Sequence, residues 1–341
     1  MTMNGSKDEL LTLGMESSCD DTGVALLRGQ RTVVAELLAS QIGDHAPFGG
    51  VIPEYAARKH LEAFLPLVES LFGEAGIHAP GEQIGLIAVT AGPGLIGSLA
   101  VGVTAAQALA LAWNKPIVGV HHLEGHLFAN IVSHPDLQPP FLCLIVSGGH
   151  TEIVLVRDLG QYEFLGGTRD DAAGEAYDKV AKELGLGYPG GPIVDRLAAS
   201  GDPRAHDFPV PMKGRPEISF SFSGLKTAVV TEIHRQRAMG AGVQVEHLCA
   251  SFQRAVVGSL MDRVDLAVRK TGVRTVALSG GVGANSALRK ALQGQKNWRV
   301  YLPPLNRCTD NAVMIAAAGY SAYRRQGPAG TIVADPSWQL W

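Results

Sequence analysis

LTLGMESSCDDTGVALL at residues 11–27 and FLCLIVSGGHTEIVLV at 141–156 decide how this chain folds. Each is an apolar strand, a small polar turn ending in Thr, and a second apolar strand. The two copies form a weak internal repeat, which implies two related lobes. A third turn of this kind, SGGVGAN at 279–285, follows a strand at Thr275–Leu278 and opens a helix from about Ser286. Pro53–Leu71 carries apolar residues at helical spacing. Ile117–Val120 reads as a strand leading into a helix near His122, and the Pro-rich Ser133–Pro140 reads as a linker. This alternation belongs to the α/β class. The lobes are expected at 10–132 and 133–309. A closing helix over Thr309–Arg325, with Thr309 as its N-cap, is expected to pack back on the first lobe.

The bulk numbers bound the function. In 341 residues, 46% are hydrophobic and 18% charged, so the chain can bury a sizeable core and is not a disordered polymer. A net charge of −3 gives no global attraction for nucleic acid or an anionic membrane, so any RNA contact must come from a local basic patch or a partner. The four cysteines, Cys19, Cys143, Cys249 and Cys308, form no CxxC pair, which argues for a reducing compartment and against a disulfide framework. The first residues, MTMNGSKDEL, lack the apolar core of a signal peptide, and a cytoplasmic location is expected. Residues 84–114 carry no charge, but their Gly-Pro-Gly turn at 92–94 divides them into a buried strand and a buried helix, in preference to a membrane span.

The sharpest local signal is HHLEGHL at 121–127. His122 and His126 lie at i and i+4, so on a helix both imidazoles project from one face and can reach one ion. Leu123 stands where a zincin has its catalytic Glu, so the metalloprotease reading loses its base. A third ligand should come from elsewhere; Asp310 is a candidate, but by itself it reads as charge stabilisation of a helix start, and only a family resemblance lifts it. The three Gly-rich turns let backbone N–H groups approach phosphate oxygens. None matches GxGxxG or Walker A; three strand-linked copies in a duplicated chain nonetheless favour nucleotide binding. Basic residues thicken at Lys213–Arg237 and at Arg58, Lys59 and His60, with Phe220 and Phe222 as candidate stacking surfaces for RNA bases.

Taken in order, ESSCDDTG (16–23), PFGGVIPEYAARKH (47–60), AGPGLIGSLAVG (91–102), HHLEGHL (121–127), SGGHT (147–151), AAGEAYDKVAKELGLGYPGGP (172–192), SFSGLKT (221–227), SGGVGAN (279–285) and CTDNAVMIA (308–316) resemble the tRNA N6-adenosine threonylcarbamoyltransferase (TsaD) family, once called O-sialoglycoprotein endopeptidases. The resemblance runs from about residue 10 to residue 325. It implies an actin/Hsp70/sugar-kinase-like α/β fold with two duplicated lobes and a ligand cleft between them. It also implies transfer of a threonylcarbamoyl group from threonylcarbamoyl-AMP to N6 of adenosine 37, in tRNAs reading codons that start with A. By the same resemblance one divalent ion, Fe(II) or alternatively Zn(II), is held by His122, His126 and Asp310. The donor's phosphate and adenosine map to Ile145, Val146, Ser147, Gly148, Gly149, Asp178, Gly191, Asp195 and Asn285. The proton on N6 falls to Glu16, Asp20 or water. The implied partners are tRNA, a shorter homologue that dimerises with the chain (TsaB) and a small P-loop ATPase (TsaE).

Rival readings are separable. A kinase or ATPase of the same fold shares the turns but lacks the HxxxH pair. A small-molecule O-carbamoyltransferase shares both, but usually carries a further domain to make its adenylate, for which 341 residues leave little room. A non-enzymatic scaffold has no use for glycines placed where phosphate would sit.

Overall fold

The computed structural model describes residues 10–240 and 242–341; the N-terminal residues 1–9, read above as no leader, lie outside the described residues. The elements in chain order are β1 (Leu11–Glu16), β2 (Asp21–Arg28), β3 (Thr32–Ser40), α1 (Ile42–His45), α2 (Pro53–Ala75), α3 (Pro80–Gln83), β4 (Leu86–Gly92), α4 (Ile96–Trp113), β5 (Ile117–His121) and α5 (His122–Ser133). There follow β6 (Phe141–Val146), β7 (Thr151–Asp158), β8 (Gln161–Gly167), α6 (Ala173–Leu184), α7 (Gly190–Ala198), α8 (Ser223–Ala238), α9 (Val245–Thr271), β9 (Thr275–Ser279), α10 (Ser286–Gln293), β10 (Arg299–Tyr301) and α11 (Ala312–Gln326). They form two compact units, one ending at Leu137 and rejoined by Thr309–Trp341, the other spanning Gln138–Cys308.

In the first unit the sheet order is β3-β2-β1-β4-β5, and in the second β10-β9-β6-β7-β8, the same winding twice. The first three strands of each are an antiparallel meander, and the last two add in parallel. Thus the repeat seen as strand–turn–strand extends to the whole sheet.

Strand β1 is buried on both faces, and its alternation divides two packing partners. Leu11, Leu13 and Met15 join Phe64, Val68 and Leu71 of α2 and Val103 and Ala106 of α4. Gly14 faces α11, where a Cβ would overlap the Ala312 carbonyl oxygen and press on Ala316; Gly319 of α11 lies as close to Ala88 of β4. Small residues on both sides therefore let α11 lie directly on the sheet. This helix starts later than the sequence suggested. Asn311, not Thr309, is the N-cap, because its side-chain oxygen accepts the Met314 N–H at 3.0 Å.

Helix α4 is long and apolar enough to cross a membrane by length and composition. Its Ser98, Leu99, Gly102, Val103 and Ala106 are buried, but the expectation of a wholly buried helix fails: Leu111 is 86% exposed and Ile96 55%. Leu61 and Leu65 of the adjoining α2 are exposed as well.

The second unit is built around the 27-residue α9. Polar side chains along α9 hold the irregular segment 202–219 by its carbonyls. Ser259 donates to the Pro211 oxygen, the fully buried Arg263 to the oxygens of Arg215 and Glu217, and Lys270 to that of Pro216. Phe220 and Phe222 end this segment inside the core with no exposure, so neither is a stacking surface for RNA.

The α11 contact yields a first prediction. Gly14→Ala should destabilise the chain by about 1–3 kcal/mol, because the added methyl meets backbone that cannot yield. Urea unfolding measures it, and a midpoint equal to wild type would contradict direct seating of α11 on β1.

Candidate functional site

Strand β5 ends at His121 and α5 begins at His122. His121 caps the helix: its Nδ1 accepts the Leu123 N–H at 3.2 Å, which leaves the proton on Nε2 to donate to the Trp338 carbonyl at 2.9 Å. One helical turn then sets His122 and His126 with ring centroids 4.8 Å apart. Their Nε2 atoms converge on one oxygen of Asp310, at 3.4 and 3.3 Å. Asp310 sits just before the α11 N-cap. It comes this close because α5 crosses α11 at Gly125, where a Cβ would stand 2.7 Å from Ile315. The ligand atoms of His122, His126 and Asp310 all lie within 4.8 Å of one another.

The donor set fits a divalent cation, and the surroundings of His122 strengthen the fit. Its Nδ1 lies 3.2 Å from Glu16 and 3.1 Å from the Ser18 hydroxyl, which turns Nε2 toward Asp310. A histidine ligand held by a carboxylate on its far nitrogen is the usual support of a metal centre. Glu16 is wholly buried, and its oxygens also accept the Thr90 hydroxyl (2.6 Å) and the Ser18 N–H (2.5 Å).

Electrostatics follow from this crowding. Burial alone would push the His122 imidazole down, but the flanking Asp310 and Glu16 carboxylates outweigh it and hold the ring well above its usual range. Burial would raise Asp310, yet His122 and then His126 hold it well below the usual carboxylate range. Glu16 is lowered in the same way by His122 against its own burial. By contrast, burial raises the thiols of Cys19, Cys143, Cys249 and Cys308, so none is an activated nucleophile.

The turn 16–22 is fixed from α2. His60 is fully buried; its Nε2 donates to the Cys19 carbonyl at 2.9 Å and its Nδ1 meets the Thr22 hydroxyl at 2.7 Å. It is therefore part of the turn's foundation and not of a basic surface with Arg58 and Lys59. Asp20 is half-buried on the same turn, outside the Glu16–His122–Asp310 cluster.

The second unit gathers the other residues read from sequence. Ile145 and Val146 are the buried end of β6. Beyond them Gly148 and Gly149 are exposed, with open space where a Cβ would be, and the Ser147 N–H and His150 carbonyl close the turn at 2.8 Å. Gly280 of the third turn presses on the Val146 carbonyl so tightly that no Cβ fits, which brings the SGGHT and SGGVGAN turns together. Asp195 accepts from Asn285 Nδ2 (3.2 Å), Gln253 Nε2 (3.0 Å) and the Ser286 N–H and hydroxyl (3.1 and 2.8 Å). Asn285 also donates to Gln253 at 2.8 Å and caps α10 through Leu288. Gly191, second in α7, has free space above it, and Asp178 holds the start of that helix by accepting the Gly190 N–H at 2.7 Å.

Sequence reasoning missed Ser18 and Thr90 behind the histidines, and Tyr177 and Gln253 beneath Asn285. Ser18 and Tyr177 lie inside quoted motifs. Gln253 has no local signal, being one polar residue on a long helix.

If His122 is a ligand through a neutral imidazole, an ion must displace its proton. Because that proton is held above the ordinary value of 6.5, apparent affinity should climb up to tenfold per pH unit through neutrality and level off only above the raised value. Wild type should hold about one divalent ion per chain and His126→Ala much less. Metal analysis after dialysis at several pH values reads both. Equal metal in the two proteins, or affinity flat with pH, would remove the site.

A family model for TsaD, tRNA N6-adenosine threonylcarbamoyltransferase, matches residues 32–317. The chain is similar to proteins of that name from Gloeobacter violaceus (51% identity, covering 91% of this chain and 90% of the relative), Thermosipho africanus (48%; 93% and 95%) and Chromobacterium violaceum (46%; 97% and 98%). Among solved structures, component A of Acidaminococcus fermentans (R)-2-hydroxyglutaryl-CoA dehydratase superposes with a TM-score of 0.54 at 15% identity, over 92% of this chain and 99% of that one. HypF from T. kodakarensis superposes with 0.59 at 16% identity, over 94% and 48%. These likenesses show the fold, the actin-like ATPase fold that the duplicated sheets already display. With the matched model spanning most of its length, the chain belongs to the tRNA N6-adenosine threonylcarbamoyltransferase family.

Proposed function

We propose that this chain transfers the threonylcarbamoyl group of threonylcarbamoyl-AMP to N6 of adenosine 37, in tRNAs reading codons that start with A, forming t6A. The observation that carries the reading is the cluster of two buried histidines, His122 and His126, with the half-buried Asp310, braced by Glu16, in a member of this family. N6 attacks the carbamoyl carbon, its bond to the phosphate oxygen breaks, AMP leaves, and the N6 proton goes to a base. The donor is already activated, so no covalent enzyme intermediate is needed, in keeping with four raised thiols.

The residues divide the work. His122 and His126 through Nε2, with Asp310, would hold one divalent ion, Fe(II) or Zn(II), which would polarise the donor. Ile145 to Gly149 offer backbone to the donor's phosphate, since Gly148 and Gly149 leave open space above the turn. Asn285, Asp195, Gly191 and Asp178 would frame the adenosine. Glu16, with both oxygens occupied, suits holding His122; Asp20 is then the carboxylate of the pair that remains for the N6 proton.

Partner dependence follows from surface chemistry. A net charge of −3 leaves little counterion release to drive tRNA binding. Leu61 and Leu65 of α2 and Ile96 and Leu111 of α4 present exposed apolar side chains on adjoining helices, a face that suits the shorter homologue TsaB. TsaE, the P-loop ATPase, and a cytoplasmic location complete the reading.

Calorimetry with AMP tests the nucleotide residues. Asn285→Ala should weaken binding by about 1–2 kcal/mol, the value of a lost hydrogen bond, and Gly148→Val should obstruct the phosphate. Unchanged affinity in both variants would refute the placement. In a modification assay supplied with threonylcarbamoyl-AMP, the chain alone should transfer poorly, and adding TsaB and TsaE should restore t6A. Full multi-turnover activity of the chain alone would reject partner dependence. Carbamoylation of a small hydroxylated molecule, with no transfer to tRNA, would favour the O-carbamoyltransferase.

A further inference from the structure

Edge strand β8 and the segment Pro216–Ser219 bound a groove of roughly 550 Å³, lined in part by Phe164, Gly167, Arg169, Glu217 and Lys270. Its floor is set by glycine: a Cβ on Gly166 would overlap the Ile218 carbonyl, so the two backbones touch there. The segment is pinned at its end, with the Phe220 N–H donating to Gly167 and the Arg169 N–H to Phe220, each at 3.0 Å. From beneath, Arg263 and Lys270 of α9 hold it by the carbonyls of Arg215, Pro216 and Glu217. The groove is shallow and open to solvent, so it is suited to a group presented from a partner's surface and not to an enclosed small molecule.

Its place in the sheet is informative. Both β6 and β8 run antiparallel to β7, so they point the same way, and Gly167–Arg169 leaves the sheet at the same end as the Ser147–His150 turn. Ile145 pairs with Glu152 and Glu152 with Gly167, which sets the groove two strand spacings, roughly 10 Å, from the end of β6. The Thr168 N–H donates to Thr151 at 2.9 Å and ties the two places together.

The groove lining carries two cations, Arg169 and Lys270, against one acid, Glu217. Asp171 is paired with Lys179 (2.8 Å) and Lys226 (2.6 Å), while Asp170, still a carboxylate, is held by the Ser221 hydroxyl (2.5 Å) and the Phe222 N–H (2.7 Å). Arg169 is exposed and, among the described residues, in no ion pair; Lys213 and Arg215 on the neighbouring segment share that condition. Glu217 is the single acidic side chain in the lining. Phe164 stays 43% exposed although its ring folds over Gly167, where a Cβ would lie 3.1 Å from it. An exposed ring beside an unpaired guanidinium and an ammonium is the chemistry of single-stranded nucleic-acid binding: stacking on a base and charge for the phosphate.

We propose that this groove holds an unpaired nucleotide of the tRNA anticodon loop, close in sequence to the reacting adenosine, with its base on Phe164 and its phosphate at Arg169 and Lys270. The proposal rests on tRNA being the acceptor. It gives to Phe164 the stacking role that the buried Phe220 and Phe222 cannot play.

The test uses the full chain, with labelled tRNA for equilibrium binding and with TsaB and TsaE present for modification kinetics. Phe164→Ala and Arg169→Gln should each raise the tRNA Kd and KM roughly five- to tenfold, with kcat at saturating tRNA and calorimetric AMP affinity unchanged. Phe164→Trp should restore binding. Arg169→Gln, unlike Phe164→Ala, should also flatten the dependence of log affinity on log salt by roughly 0.7. Both variants binding and modifying tRNA like wild type would overturn the groove assignment while leaving the proposed function intact. Loss of association with a protein partner at unchanged tRNA affinity would overturn it in favour of a protein-docking surface. A wild type that neither binds nor modifies tRNA would overturn the proposed function, and this proposal with it.

Discussion

The direct seating of α11 on β1 is the constraint on which the first unit depends. A helix that carried ordinary side chains toward the sheet would stand further away, and Asp310 would move with it. Gly14 and Gly23 in the sheet, Gly319 and the alanines of α11, and Gly125 on α5 remove the side chains from every crossing. The two histidines supply direction and the glycines supply distance. Sub-ångström placement matters here because each Nε2 must share one carboxylate oxygen and, when present, one ion.

Burial then makes the cluster electrostatically strong. Glu16 and Asp310 flank the buried His122 ring: each carboxylate holds the imidazolium charged, and the imidazolium in turn lowers both carboxylates. Thr90 and Ser18 complete the hydrogen bonding of Glu16, so the carboxylate behind His122 has no unsatisfied oxygen. Such a network fixes the ring orientation before any ligand arrives.

The second unit solves a different problem with the same winding. Gly148 and Gly149 face open space and Gly280 lets the third turn press on β6, while the side chains beneath form a closed set: Asp195, Asn285, Gln253, Ser286 and Tyr177. Asn285 serves twice, with its oxygen capping α10 and its nitrogen reaching the network. Helix α9 likewise packs the core with one face and holds the irregular segment with the polar side chains of another.

How much of this was legible in the sequence depends on whether the signal is local. The repeated strand–turn–strand units, the i,i+4 histidines and the glycines of the turns are short-range patterns, and backbone geometry fixes what they become. They determined the α/β class, the duplication and the place of the turns. The ordered motifs pointed to the family to which the chain belongs. Tertiary structure alone decided where residues distant in sequence meet. It chose Glu16 as the brace of His122 from 106 residues away, buried His60, Phe220 and Phe222 that composition had placed on a basic surface, and exposed one face of α4 that looked uniformly apolar. It also moved the cap of α11 from Thr309 to Asn311. In each case the deciding quantity is the side of an element that a neighbour covers, and that depends on contacts between segments that no local pattern encodes.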